Sequence, residues 1–284
     1  MTGSGVVYML TGPGHAVRLA VSLWSLRKHF AGPVAVYTTQ PESHAIGERL
    51  AADRRLGIDH RTFVQASVRK NSSFLTKVAL LSQVPYETAL FLDADTLVVG
   101  DIAPLLALEE ADECHATQFA NWQTTTRVIR RRIESWRSLE QRCFPSDLYR
   151  QIIADALRPQ PAINSGVFGF RPTARILAEW NELTFAGRDM FICDEIALQI
   201  ILHRFPHRIF DCRFNCSPIY SPDTPDPRIW HFHGEKHVAR PRARALWLPA
   251  FRECVKENVG GVAEWSPAGD RRLKGYLASQ DALV

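Results

Sequence analysis

The feature that most constrains this chain is the alternation of short apolar runs with amphipathic helical stretches over its first hundred residues. Val6 to Leu10 is an apolar run, and Gly12-Pro13-Gly14 breaks it. Leu19, Ala20, Leu23, Leu26 and Phe30 then recur mostly at spacings of three and four, which predicts a helix with the basic pair Arg27-Lys28 near its end. Pro33 to Thr39 reads as the next strand, completing a β-α-β unit. A helix over about Ala45 to Leu56, a strand at Phe63-Val64 and a helix over Phe74 to Ser82, stopped before Pro85, continue the pattern. Thr88 to Leu92 is the kind of apolar strand that is buried on both faces, and it runs straight into Asp93. The alternation predicts an α/β fold, a mainly parallel twisted sheet flanked by helices that binds ligands at the carboxyl ends of its strands. Both Gly12 and the Asp93 segment lie at such ends.

Further along, Asn164 to Phe170 and Ile229 to His233 read as strands or strand ends, and the last forty or so residues as a helix and an irregular tail. From about Thr126 to Cys143 a basic helix is expected, with Ile129, Ile133, Trp136 and Leu139 on one stripe. A solvated face over the core explains it more simply than an acceptor or subunit contact does.

With 46% hydrophobic residues among 284, the chain can bury a large core, which excludes global disorder. Thirty-four Lys and Arg against 30 Asp and Glu give a net charge of +4, which suits phosphate-bearing small molecules but falls short of a nucleic-acid-binding surface. No basic leader or long apolar segment follows Met1, so a cytoplasmic location is the expectation. No window approaches the roughly 18 to 20 apolar residues of a membrane span, so any membrane contact would be peripheral. The six cysteines are scattered, and Cys212 and Cys216 have no second pair to complete a zinc site, which points to free thiols.

Two constellations carry chemistry. In Asp93-Ala94-Asp95, an extended backbone would set both carboxylates on one face at a strand terminus. Hard cations such as Mn²⁺ or Mg²⁺ take oxygen ligands there and bridge protein to substrate phosphates; exposed acidic turn residues are the plainer alternative. In Trp230-His-Phe-His-Gly-Glu-Lys236-His, alternate histidines would share a face, imidazole can ligate Mn²⁺, and Lys236 offers a point charge for phosphate. The order differs from the helical His-Glu-x-x-His of zinc proteases, and each histidine alone could be a structural, hydrogen-bonded one.

Taken together, Leu90-Phe-Leu-Asp-Ala-Asp-Thr-Leu-Val-Val-Gly-Asp-Ile-Ala-Pro-Leu105, Asn164-Ser-Gly-Val-Phe-Gly-Phe170, Cys193-Asp-Glu-Ile-Ala-Leu198 and His231-Phe-His-Gly234 resemble, in that order, the GT-A glycosyltransferases. The chain is most similar to the glycogenin-like and lipopolysaccharide galactosyltransferase-like family, over about residues 6 to 238. The resemblance implies a Rossmann-like GT-A fold and a Mn²⁺ (or Mg²⁺) ion held by Asp93, Asp95 and His231. It further implies a nucleotide-diphosphate sugar donor, a uridine diphosphate sugar in that family, and a saccharide or other hydroxyl acceptor. Thr11 and Gly12 would surround the base, Lys77, Ala94, Gly234 and Lys236 would lie along the donor, and Asn164, Gly166 and Asp194 would face the sugar. The family's lysine lies three residues after the glycine, where this chain has His237, and Lys236 lies only two after Gly234. Asn-Ser-Gly is otherwise an ordinary turn, and Asp194-Glu195 the acidic first turn of a helix. The expected organisation is a single domain over 1–284, with a nucleotide-binding half to about 100, an acceptor and metal-completing half to about 240, and a C-terminal helix and tail. A sugar nucleotidyltransferase, which normally carries a basic Gly-rich loop after its first strand, and an idle nucleotide-sugar-binding protein are the rival readings.

Overall fold

A computed structural model describes residues 3–63, 72–119, 161–186, 194–233 and 240–264. Seven strands form one sheet in the order β3-β2-β1-β4-β7-β6-β8, comprising β1 (Ser4–Leu10), β2 (Val34–Thr38), β3 (Ile58–Thr62), β4 (Thr88–Leu92), β6 (Cys114–Gln118), β7 (Ile163–Phe170) and β8 (His207–Phe210). Strands β1 to β4 pair parallel, as the alternation predicts. Strand β7 runs against both its neighbours, β4 and β6, while β6 and β8 pair parallel. The sheet is therefore parallel except for β7.

Alternate residues of each central strand feed two separate cores. Val6, Tyr8 and Leu10 of β1 and Leu90 and Leu92 of β4 pack with α1 (Ala16–Arg27) and α7 (Pro241–Lys256) on one face. Val7, Ala89 and Phe91 pack on the other face with α3 (Ser72–Leu81), α5 (Arg175–Ala186) and α6 (Asp194–Ile201). Both faces of β4 are covered, which is why its sequence is apolar without alternation. Helix α7 buries Ala243, Trp247, Phe251 and Cys254 at helical spacing, and Arg27, in the last turn of α1, collects the carbonyls of Leu56, Gly57, Phe30 and Gly32.

Several boundaries differ from the sequence expectation for identifiable reasons. Helix α2 (Pro41–Ala52) begins earlier than Ala45, because Gln40 and Ser43 form a capping box and Pro41 takes the first helical position. Strand β3 lies before Phe63 and is polar and largely exposed, an edge strand that an apolar search passes over. The expected strand at Ile229 to His233 ends at His231, as β9 (Ile229–His231), and His233 adopts a left-handed φ of 52°. Strand β9 pairs with β5 (Thr96–Val98) in a small antiparallel sheet of its own, which sets His231 opposite Thr96. The basic helix expected at Thr126 to Cys143 lies outside the described residues. Among the described residues, no helix is long and apolar enough to cross a membrane.

Candidate active site

A cleft of about 410 Å³ opens at the carboxyl ends of β1 and β4. Its lining includes Thr11, Lys77, Asp93, Ala94, Asp95, Asn164, Asp194 and His231 of the expected site, together with His15, Ser165, Glu195 and His233. Gly12 is outside the lining, and Gly166 lies beneath it. Gly234, Lys236 and His237 lie outside the described residues.

The acidic pair does not sit on an extended strand as expected. Asp93 follows β4, Ala94 and Asp95 form a turn, and β5 begins at Thr96. Thr96 closes the turn, donating its backbone N–H at 3.2 Å and its hydroxyl at 2.9 Å to the carbonyl of Asp93. The turn still gathers the acids. One ligand atom each from Asp93, Asp95 and His231 lies within 4.8 Å of the others. His231 Nε2 is 3.2 Å from Asp95 Oδ1 and 3.6 Å from Asp93 Oδ2. Adjacent corners of an octahedron with bonds of about 2.1 Å are about 3 Å apart, so two carboxylate oxygens and an imidazole nitrogen at these separations fit a small divalent cation.

Gly166 makes this closeness feasible. A Cβ there would come within 2.5 Å of Asp93 Oδ2 and 2.9 Å of Asn164 Oδ1, and would collide with His231 Cε1. The backbone of β7 thus passes directly under the acidic corner, and Gly166 O accepts the Asp93 N–H at 2.8 Å.

The opposite corner is built around Lys77. Its ammonium is buried, 3.1 Å from Asp194 Oδ2 and 3.6 Å from Asp93 Oδ1, and it donates to Ser165 O at 2.8 Å and Ser165 Oγ at 3.1 Å. The Ser165 hydroxyl donates to Asp194 Oδ2 at 2.8 Å, and the Trp180 indole donates to the Asp194 carbonyl at 2.8 Å. Asp194 does open a helix, α6, and its side chain is also a wall of the cleft.

Electrostatics follow from this crowding. Burial works against a charged Lys77, but Asp194 and Asp93 outweigh it and raise its pKa, fixing the ammonium form. Burial likewise opposes a charged His231, yet Asp95 and Asp93 raise its pKa. Asp93 is pushed up by burial against the opposing pull of Lys77 and His231.

The sequence reading missed Ser165 and Asn215. Asn215 is fully buried, ends a short 3-10 turn (Cys212–Asn215), and contacts His231 and Asn164. The only signal available was a polar residue flanked by buried Phe214 and Cys216. Cys212 and Cys216 are free and buried, and burial raises both thiols, Cys216 to about 12, so neither is a ready thiolate ligand.

The family model of the Rhodobacterales glycosyltransferase domain matches residues 13–205, more than half of the chain. The chain belongs to this family. No curated protein matches the sequence. Among solved structures, the bifunctional glycosyltransferase WbbM in its apo form is similar at a TM-score of 0.61 and 13% identity, over 93% of this chain and 52% of that one. The chain thus spans about half the length of WbbM. The galactosyltransferase LgtC, solved with donor and acceptor sugar analogues, is similar at a TM-score of 0.57 and 16% identity, over 90% of this chain and 95% of that one. GlyE of Streptococcus pneumoniae TIGR4 follows at a TM-score of 0.56 and 14% identity, over 91% of this chain and 64% of that one. The architecture of this glycosyltransferase is of the GT-A type, and the enzyme class is sugar transfer.

Proposed function

We propose that this glycosyltransferase moves a sugar from a nucleotide-diphosphate sugar, a uridine diphosphate sugar first, to an acceptor hydroxyl, with retention and with a divalent cation held by Asp93, Asp95 and His231. The observation that carries this reading is the convergence of those three side chains at one corner of the cleft, at spacings that suit an oxygen- and imidazole-ligated ion. When bound, Mn²⁺ or Mg²⁺ supplies positive charge beside the departing diphosphate.

The chain's own residues do the rest. Lys77 is held protonated by Asp194 and fixed by Ser165, so it adds a preorganised positive charge at the cleft wall without reorganisation during the reaction. Thr11 and Ala94 line the cleft, and in this reading Thr11 faces the base and Ala94 the diphosphate. Lys236, with its neighbour His237, is the proposed further phosphate contact, and Gly12 and Gly234 the proposed close backbone approaches. Asn164 and Glu195 line the wall assigned to the sugar and the acceptor, with the Asn164 amide donating to the Glu195 carboxylate.

Retention is supported by the state of Asp194. Its Oδ2 already accepts from Ser165 and pairs with Lys77, and it is only 2% exposed, so it is poorly placed to take a proton from an acceptor. Asp194 then acts by holding Lys77, and the leaving phosphate takes the acceptor proton. A thermal-shift screen of nucleotide sugars with and without Mn²⁺ tests the reading, since a ligand of the folded state raises the melting temperature by mass action. A Mn²⁺-dependent rise with a uridine diphosphate sugar is expected. A screen in which no nucleotide sugar shifts the melt would sink it.

A further inference from the structure

The amide of Asn215 is locked in one orientation. Its Nδ2 donates to Thr117 Oγ1 at 2.8 Å and to Asn164 Oδ1 at 3.1 Å. The Thr117 hydroxyl proton goes to Val167 O at 2.9 Å, so towards Asn215 it presents a lone pair. Asn164 Oδ1 accepts the Gly166 N–H at 2.9 Å, while the Asn164 nitrogen donates to Glu195. A flipped Asn215 amide would therefore set its oxygen against two acceptors inside a fully buried site, where unpaired polar atoms cost most.

With the amide fixed, Asn215 Oδ1 stands 2.9 Å from His231 Nδ1. An acceptor at that position requires the hydrogen on Nδ1, because a neutral imidazole donates from one nitrogen and accepts at the other. The lone pair is then on Nε2, the atom that faces Asp95 Oδ1 and Asp93 Oδ2. We propose that Asn215 is the positioning residue of this site, holding His231 as the Nδ1–H tautomer and in the ring orientation that presents Nε2 to a divalent cation beside Asp93 and Asp95. Thr117 and Asn164 act through Asn215, and the same hydrogen-bonded chain runs on from Asn164 to Glu195. The inference rests on the metal reading of the acidic corner.

Two measurements test it together. Long-range ¹H–¹⁵N correlation at alkaline pH, where the imidazole is neutral, reads which nitrogen of His231 carries the proton, with His231→Ala to assign the signal. Mn²⁺ titration of the native protein, Asn215→Leu and Asn215→Asp reads the metal site. The native protein should show the proton on Nδ1. Asn215→Leu, similar in size but unable to accept, should lose that preference and bind Mn²⁺ about 10- to 100-fold more weakly, as removal of a partner behind a metal ligand does. Asn215→Asp still accepts from Nδ1 and should keep the Nδ1–H tautomer, but its second oxygen faces the acceptors of Thr117 and Asn164, so it should lose stability while holding Mn²⁺ more tightly than Asn215→Leu does. A native His231 protonated on Nε2 overturns the proposal without any variant, and so does a folded Asn215→Leu protein with native tautomer and native affinity. A native protein that takes up no Mn²⁺ removes the metal reading itself, whereas Mn²⁺ uptake indifferent to both Asn215 variants removes only the role of Asn215.

Discussion

Two corners of one cleft carry the same residue type, and Lys77 touches both, yet they are built on opposite terms. Asp194 is sealed, with its side chain 3% exposed, and its outer oxygen is matched to the Lys77 ammonium and the Ser165 hydroxyl. Asp93 is 35% exposed in its side chain, 3.6 Å from the same ammonium, and crowded by Asp95 and His231 around a point that a cation could occupy. The first corner is an internal ion pair finished by folding. The second concentrates negative charge that a ligand can complete. A lysine shared between them links the stability of one to the chemistry of the other, and separating those two effects is the purpose of the variants below.

The largest effect is expected at the sealed corner. Lys77→Met leaves Asp194 buried without its cation, which by analogy with other broken buried pairs should destabilise the protein by about 3–5 kcal/mol. Denaturant unfolding measures this, and a variant as stable as the native protein would mean that Asp194 is not a structural counter-charge.

At the open corner the order reverses. Asp95→Asn removes a proposed ligand from a place already crowded with acids, so Mn²⁺ affinity should fall on the order of 100-fold while the metal-free melting temperature stays near native. Titration alongside a metal-free melt checks both halves. A large loss of stability with unchanged Mn²⁺ affinity would make the two corners alike. His231→Ala should lose Mn²⁺ affinity as Asp95→Asn does, with some loss of stability as well because the ring is buried against Asn215, and His237→Ala should change neither.

A third carboxylate, outside the cleft lining, shows what an ordinary paired acid does. Asp53 accepts from the Arg55 side chain at 2.8 and 2.6 Å and from the Gly260 N–H at 2.8 Å, and its pKa falls from the usual 3.8 to about 2, first through the Arg55 hydrogen bond. At full value that shift is worth about 2 kcal/mol, but Arg55 is nearly half exposed, and solvent screening reduces it to about 1 kcal/mol. Because the folded pKa is depressed, this stability is present above about pH 4 and is lost as pH falls towards 2. Asp53→Asn should therefore be less stable than the native protein by about 1 kcal/mol near neutrality and converge with it as pH falls towards 2, flattening the acid limb of a denaturant-measured stability profile.

The smallest effect is expected for the cysteines. Replacing Cys212 and Cys216 together by Ser should leave transfer within a few-fold of native, because both are buried thiols rather than ligands. Loss of a bound metal with unfolding in that double variant would contradict this.

The contrast between the corners also marks what the sequence could reveal. Strands β1, β2 and β4 and helices α1 and α3 were legible because their buried faces are apolar in a regular period. Strand β6 was not, since Cys114-His-Ala-Thr-Gln118 buries polar side chains by bonding them inward, His115 to Leu105 O and Thr117 to Val167 O. The antiparallel direction of β7 has no local signature at all, because strand direction depends on a connection and not on composition. In the site, Asp93, Asp95 and His231 were legible as short motifs, and their meeting follows from the pairing of β5 with β9. Asn215 and Ser165 escaped because a buried hydrogen-bonding residue in a turn looks, in one sequence, like any other polar residue.

The central claim, that a divalent cation joins the acidic corner to a nucleotide diphosphate, is tested most directly by titrating uridine diphosphate into the native protein by calorimetry, once with Mn²⁺ and once with chelator. The account predicts that chelation weakens binding at least about tenfold, the equivalent of ~1.4 kcal/mol, and that Asp95→Asn binds weakly under both conditions. Equal affinity of the native protein with and without the metal would contradict it.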